Sequence, residues 1–215
     1  LIMLEPDFGT SVSLLAVIGM MVFAAGFSYR YVGGAILLAL PAMYVVVMQA
    51  DYRRRRLLTF MDPWADPLGD GFQIIQSLIA VGTGGVFGKG LMQGVQKLFY
   101  LPEPQTDFIY SVISEELGMI GATLVVLCFC VIAWRGLRTA MRAPDSFGAF
   151  LALGITMMLV LQALFNISVV LGLVPTKGIP LPLVSNGGSS MLINLLAVGV
   201  LLNISQHSQV ETGAA

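Results

Sequence analysis

Asp107 lies in Tyr100-Leu-Pro-Glu-Pro-Gln-Thr-Asp-Phe-Ile-Tyr-Ser-Val-Ile-Ser-Glu-Glu-Leu-Gly118, which holds four of the chain's twelve acidic residues between two apolar tracts. A carboxylate set at a membrane boundary carries a desolvation cost, so function is its default reading. Pro102 and Pro104 turn the residues before them away from helix, which predicts a helix start near Thr106 or Asp107. Asp107 then reads as an N-cap that closes the first turn. The sharper reading is a general base, its basicity raised above that of an exposed Asp by partial burial. The two roles are compatible, because a cap fixes the position of a side chain.

Glu103 is a second carboxylate, but the intervening Pro104 argues against a helical pair with Asp107, and its plain reading is a solvated loop acid. Glu115 and Glu116 fall two turns into the predicted helix, one toward a polar interior or a cation and the other toward headgroups. Lys177, in Pro-Thr-Lys-Gly, precedes the turn Ser185-Asn-Gly-Gly-Ser-Ser190. Consecutive glycines and small hydroxyl residues ahead of a helix form a concave set of N–H donors suited to an anion. The same glycines, with Pro175, Pro180 and Pro182, also suit a connection that merely redirects the chain.

The elements that must position these groups are apolar helices. Of 215 residues, 57% are hydrophobic and 11% charged, against about 25% charged in a soluble domain. An all-α polytopic membrane protein follows. The net charge of −1 gives no sign of a nucleic-acid partner. Six apolar segments run roughly over 11–27, 31–49, 72–87, 118–134, 147–173 and 189–204. A crossing needs roughly 17–25 residues, and the third segment is marginal, being short and carrying Gly82, Gly84, Gly85, Gln73 and Gln76. Six crossings put Arg53–Arg56 with Arg135, Arg138 and Arg142, seven of the eleven basic residues, on the cytoplasmic side together with both chain ends. Without a third crossing the two arginine groups fall on opposite faces, so the six-span arrangement is preferred. It leaves two outer loops, 84–116 and 172–190, within one transmembrane domain. Arg53–Arg56 then reads as a topology anchor with no chemistry, and Asp62-Pro-Trp-Ala-Asp-Pro67 as an interfacial loop. Cys128 and Cys130 read as packing residues, and the single histidine, His207, is remote from them. The chain begins at Leu1 within a motif-like segment, which fits the C-terminal portion of a longer protein.

Several long motifs, in order from end to end, resemble the SEDS family of peptidoglycan glycosyltransferases. They include Leu4-Glu-Pro-Asp-Phe-Gly-Thr10, Arg53-Arg-Arg-Arg-Leu-Leu-Thr-Phe-Met-Asp-Pro-Trp-Ala-Asp-Pro67, Gly71-Phe-Gln-Ile-Ile-Gln-Ser77, the segment from Gln96 to Tyr110, Ser114-Glu-Glu-Leu-Gly118, and Pro175 to Ser190. The arginine-rich loop and Pro-Thr-Lys-Gly are most like the FtsW division branch rather than the RodA elongation branch.

The resemblance implies a fold of about ten transmembrane helices, with this chain supplying the last six. It implies polymerisation of lipid II, an undecaprenyl-pyrophosphate-linked disaccharide-pentapeptide, at the outer face of the bacterial cytoplasmic membrane, at the division septum. The family's essential aspartate maps onto Asp107, which becomes the base for an inverting transfer. Glu103, Lys89, Lys97, Lys177, Ser185, Asn186, Gly187, Gly188 and Ser189 are the corresponding substrate-binding candidates. The lysines, the serine–glycine turn or a divalent cation would face the leaving pyrophosphate. The expected companions are a monofunctional transpeptidase (a class B penicillin-binding protein), other division proteins and membrane lipid. Gln105 stands where His is common, and Asn186 where Tyr is common. Two other classes of function fit the same chain. One is a lipid II flippase using Gln73, Gln76, Gln162 and Asn166; the other is a non-catalytic scaffold of the division complex.

Overall fold

The computed structural model describes residues 8–49, 51–99 and 101–210. Those residues form helices joined by loops, with no strand among them. In order they are α1 (Phe8–Ala24), α2 (Tyr29–Met48), α3 (Asp51–Met61), α4 (Phe72–Gly84), α5 (Gln96–Phe99), α6 (Ile109–Met141), α7 (Ser146–Val170) and α8 (Gly188–Val210), with one 3-10 turn at Pro63–Ala65. Local chemistry sets several ends. Ser28 accepts the N–H of Arg30 ahead of α2, and Asp145 accepts that of Gly148 ahead of α7 at 3.0 Å, each satisfying a donor that the helix cannot. α7 stops before Gly172, whose φ of 66° leaves the helical region.

Three helices, Ile109–Met141, Ser146–Val170 and Gly188–His207, are long and apolar enough to cross a bilayer. α8 leaves Leu192, Leu195, Leu196 and Leu202 exposed, the surface a helix presents to lipid rather than to water. The chain is an all-α, multi-pass membrane protein, as its composition predicts. α6 and α7 pack closely where Gly136 faces Thr156, a Cβ at Gly136 having no room beside the Thr156 hydroxyl. α1 runs antiparallel to α7. Thr10 at its start meets Lys177 beyond the end of α7, and Met21 near its end lies 3.1 Å from the Cβ position of Gly154.

The third apolar segment departs from expectation. α4 has 13 residues, about 20 Å of helix against a hydrocarbon core of ~30 Å, and it does not cross. Ser77 at its middle donates to the carbonyl of Val170 and bonds to Ser111, the last turn of α7 and the first of α6. The chain then turns back through Gly85–Gly90 to the face that carries Asp107. Consequently α3 lies on that same face, where Arg56 Nη1 donates to Thr176 O at 3.2 Å. This corrects the reading of Arg53–Arg56 as a cytoplasmic anchor grouped with Arg135, Arg138 and Arg142. The two groups are at opposite ends, as they must be once the third segment fails to cross. α1 accordingly begins on the Asp107 face, whereas α8 ends on the opposite one, so the two ends are not on one side. The motif at 4–7 lies outside the described residues.

α6 is two helices in one. Gly118 has φ 66° and ψ −163°, a conformation essentially restricted to glycine. The backbone groups freed by this break are met by the turn after α4. Lys89 and Gly90 donate to the carbonyls of Glu115 and Glu116, while Met119 and Ile120 donate to those of Gly85 and Val86. The two chains approach so closely that a Cβ at Gly84 would overlap Ser114 O and one at Gly88 would overlap Glu116 O. From Met119 to Met141, 23 residues of helix rise about 34 Å, enough to cross without the nine residues before the break.

Candidate active site

Two loops converge on the Asp107 face, and their own side chains hold them together. The first, 101–108, is pinned by Leu101 and Phe108, both in the core. Between them Glu103 adopts φ 48°, and its carbonyl accepts the N–H of Thr106. Helix begins at Ile109, with Phe108 at the cap position and no side-chain cap, so Asp107 is not the N-cap that its spacing from the prolines predicts. The preceding turn, closed by the Glu103 carbonyl, delays the helix by two residues and leaves the carboxylate uncommitted.

The second loop, 171–187, meets the first through three hydrogen bonds, from Ser185 and Asn186. Ser185 Oγ donates to Thr106 O at 2.6 Å and accepts from Leu181 N at 2.7 Å. Asn186 N donates to Gln105 O at 2.9 Å, and its amide faces Gln105 Oε1 at 3.3 Å. From beneath, the side chain of Asn166 in α7, 1% exposed, donates to Asp107 O at 2.7 Å and to Ile179 O at 2.6 Å. One buried amide thus holds the backbone of both loops at the level of Asp107. Gln162 adds a bond to Pro180 O at 3.1 Å. Neither role is visible in the sequence, where Gln162 and Asn166 read only as polar residues inside a span.

The Asp107 carboxylate makes no hydrogen bond or ion pair among the described residues. It lies against Gly178, where an added Cβ would come within 2.7 Å of Oδ2 and push the carboxylate aside. Burial, and after it the negative charge of Glu103, pushes the Asp107 carboxyl above the ordinary value of 3.8. Both causes disfavour the charged form, which makes the carboxylate a stronger base. Lys177, next to Gly178, donates to Thr10 Oγ1 at 3.0 Å beside a cavity of about 200 Å³ lined by Thr10, Ser13, Gln162, Lys177 and Gly178.

The candidate anion turn is partly occupied. Helix α8 starts at Gly188, so Gly187, Gly188 and Ser189 stand at a helix N-terminus, as predicted, but the Asn186 N–H is already taken by Gln105. Lys89 and Lys97 are engaged elsewhere. Lys89 pairs with the fully enclosed Glu115 at 2.7 Å, and Lys97 with Glu116 at 2.5 Å. Glu115 also accepts from Val95 N and Gln96 N, and Glu116 from Met92 N. These pairs fix the 89–97 segment to the first turns of α6. Among the described residues no three His, Cys, Asp or Glu side chains converge on a metal site.

The fold and this junction define a multi-pass helical membrane protein that carries a half-buried carboxylate, Asp107, on a platform of two interlocked loops. The FtsW/RodA/SpoVE family model, described as cell cycle proteins, matches residues 1–210. The chain is 51% identical over 209 residues to the stage V sporulation protein E of Bacillus subtilis (strain 168), covering 97% of this chain and 57% of that protein. It is 51% identical over 201 residues to the probable peptidoglycan glycosyltransferase FtsW of Geobacter metallireducens, covering 94% and 54%. A solved chain described under the structural coordination of polymerization and crosslinking by a peptidoglycan synthase complex superposes with a TM-score of 0.77 at 31% identity, covering 97% of this chain and 58% of the other. The chain belongs to the FtsW/RodA/SpoVE family. It spans a little over half the length of these relatives.

Proposed function

We propose that the whole protein of which this chain forms part is a peptidoglycan glycosyltransferase. It joins lipid II units into glycan strands at the outer face of the bacterial cytoplasmic membrane during division. Asp107 takes the proton from the acceptor sugar's 4-hydroxyl as that oxygen attacks the donor's anomeric carbon. The glycosidic bond forms with inversion, and the lipid pyrophosphate leaves with the electron pair of the broken C–O bond. The observation that carries this reading is the Asp107 carboxylate itself, without an ion pair or hydrogen bond among the described residues, raised in basicity by burial and held from its backbone by Asn166. A positioned base contributes on the order of 10²–10⁴-fold, and the inverting path asks for no second carboxylate at the reacting carbon.

Lys177 and the N–H groups at Gly187–Ser189 supply positive potential for the leaving group. Were a divalent cation bound here, Asp107 and Glu103 would offer it hard oxygen ligands, and it would supply positive charge for the departing diphosphate. The relatives' names, and the synthase complex of the superposed chain, support both this activity and a transpeptidase companion. Two of the four polar residues that favoured a flippase, Gln162 and Asn166, are committed to loop carbonyls, which supports the polymerase reading. The test is lipid II polymerisation by the reconstituted full-length protein, wild type against Asp107→Asn. Loss of glycan strands with folding and membrane insertion intact is expected; a wild-type rate would refute the assignment.

A further inference from the structure

A second cavity opens on the Asp107 face, and the machinery described above does not use it. Of about 520 Å³, it is lined by α3, the approach to α4 from Leu68 to Gln73, Pro102 and Thr176, a volume typical of sites for small molecules. Its polar lining includes Asp51, Arg55, Thr59, Asp70 and Gln73. Among the described residues, none of these five side chains makes a hydrogen bond or ion pair with protein. Asp51 and Arg55 are one helical turn apart and share a face of α3, yet they are not ion-paired. Arg56, whose guanidinium is fixed on Thr176 O, ties the cavity wall to the second loop.

Two observations indicate what the cavity takes. The first is location. Thr176 and Gly178 are two residues apart, at most about 7 Å along the chain, and Gly178 abuts the Asp107 carboxylate. The cavity wall is therefore on the order of 10 Å from the base, which a sugar residue or two would bridge. The second is charge. With the wall's second arginine fixed on Thr176, seven of the eleven basic residues belong to segments of the Asp107 face: Arg53–Arg56 on α3 with Lys89, Lys97 and Lys177. That is the reverse of what topology alone favours if this face is the outer one. A guanidinium presents a planar fork that matches phosphate oxygens. The carboxylates of Asp51 and Asp70 would repel a bare phosphate, but with Gln73 and Thr59 they are acceptors and donors for sugar hydroxyl and acetamido groups.

We propose that this cavity binds the sugar–diphosphate portion of a lipid-linked glycosyl substrate, with Arg55 as its phosphate ligand and Asp70 and Gln73 on the sugar. The site deepens the polymerase reading, and relies on it only for the identity of the ligand. It would hold one of the two lipid-linked sugars while Asp107 acts on the bond between them.

The test is equilibrium binding to the full-length protein in nanodiscs, in the Asp107→Asn background so that ligand is not consumed. Three probes are compared: a prenyl-diphosphate-linked disaccharide, the prenyl diphosphate without sugar, and phosphatidylglycerol. Arg55→Ala is expected to raise the Kd of both diphosphates at least tenfold and to leave phosphatidylglycerol unchanged. Arg55→Lys, which keeps the charge but not the fork, should fall between, and it carries the phosphate arm if the alanine variant fails to fold. Asp70→Asn should weaken only the sugar-bearing probe. Wild-type Kd values in the Arg55 variants, or weakening confined to phosphatidylglycerol, would overturn the proposal. Turnover by Asp107→Asn alone judges the general base separately, so either idea can fail while the other stands.

Discussion

Replacing Asn166 with leucine tests whether a buried amide positions the backbone that carries Asp107. Leucine is similar in volume but has no donor, so two carbonyls, of Asp107 and Ile179, lose their partner at once. A buried group left unsatisfied costs about 1–3 kcal/mol. The Asp107 carbonyl is only part-buried and can recruit water, whereas that of Ile179 is enclosed, which places the sum near 2–4 kcal/mol. The bonds of Ser185 and Asn186 across the junction remain, each contributing about 1 kcal/mol. The loops should therefore loosen rather than detach. A displacement of ~1 Å at a reacting group costs on the order of 10²-fold, so lipid II polymerisation should fall by that factor while substrate affinity changes much less. Thermal unfolding of the full-length protein should register the lost stability in parallel. Asn166→Asp, which swaps the donor for an acceptor facing two carbonyls, should be at least as damaging near neutral pH. Wild-type turnover and an unchanged melting temperature for Asn166→Leu would refute the argument.

Glu103→Gln removes one of the two causes that raise the Asp107 carboxyl. A base works when deprotonated, so the acid limb of the pH–rate profile should move to lower pH, while burial keeps it above that of an ordinary aspartate. Gly178→Ala places a methyl 2.7 Å from Asp107 Oδ2; turnover should drop at least tenfold, with expression and melting temperature close to wild type. Lys89→Met strands the enclosed carboxylate of Glu115 and should destabilise by about 3 kcal/mol, the lower end for a broken buried pair, because Lys89 is one-third exposed. Adding Glu115→Gln should then recover much of both stability and activity. If the double variant regains stability but not activity, Lys89 acts on substrate rather than on Glu115.

Helix content and the placing of the Asp107 loop and the Pro-Thr-Lys-Gly segment on one face were legible, because composition and the order of apolar and polar stretches report on local physics. The membrane path of the third segment was not. Hydropathy measures greasiness, and α4 is apolar because it packs between α6 and α7, not because it crosses. The side assigned to Arg53–Arg56 depended on that crossing and was reversed with it. The helix start was misplaced by two residues because the Glu103 carbonyl closes a turn only when that residue takes a positive φ, which proline spacing does not encode. Asn166 carries no motif at all. Its importance is a long-range fact, arising from carbonyls 59 and 13 residues away in sequence. Lys89 and Lys97 looked available to a substrate because nothing in sequence reveals that Glu115 and Glu116, some 20 residues on, will claim them.

The break at Gly118 also bears on how the protein is made. The hairpin that completes α6 leaves the ribosome before α6 does, so its donors and acceptors must wait in water until residues 115–120 arrive in the right orientation. If the span after Gly118 were threaded in reverse, the Gly85–Gly90 turn would find no carbonyls to meet, and Glu115 and Glu116 would enter on the wrong side of the bilayer from Lys89 and Lys97. The interlock thus couples the platform beneath Asp107 to the orientation of the span after Gly118, because its hydrogen bonds form only when residues 85–90 and 115–120 stand on the same side of the bilayer.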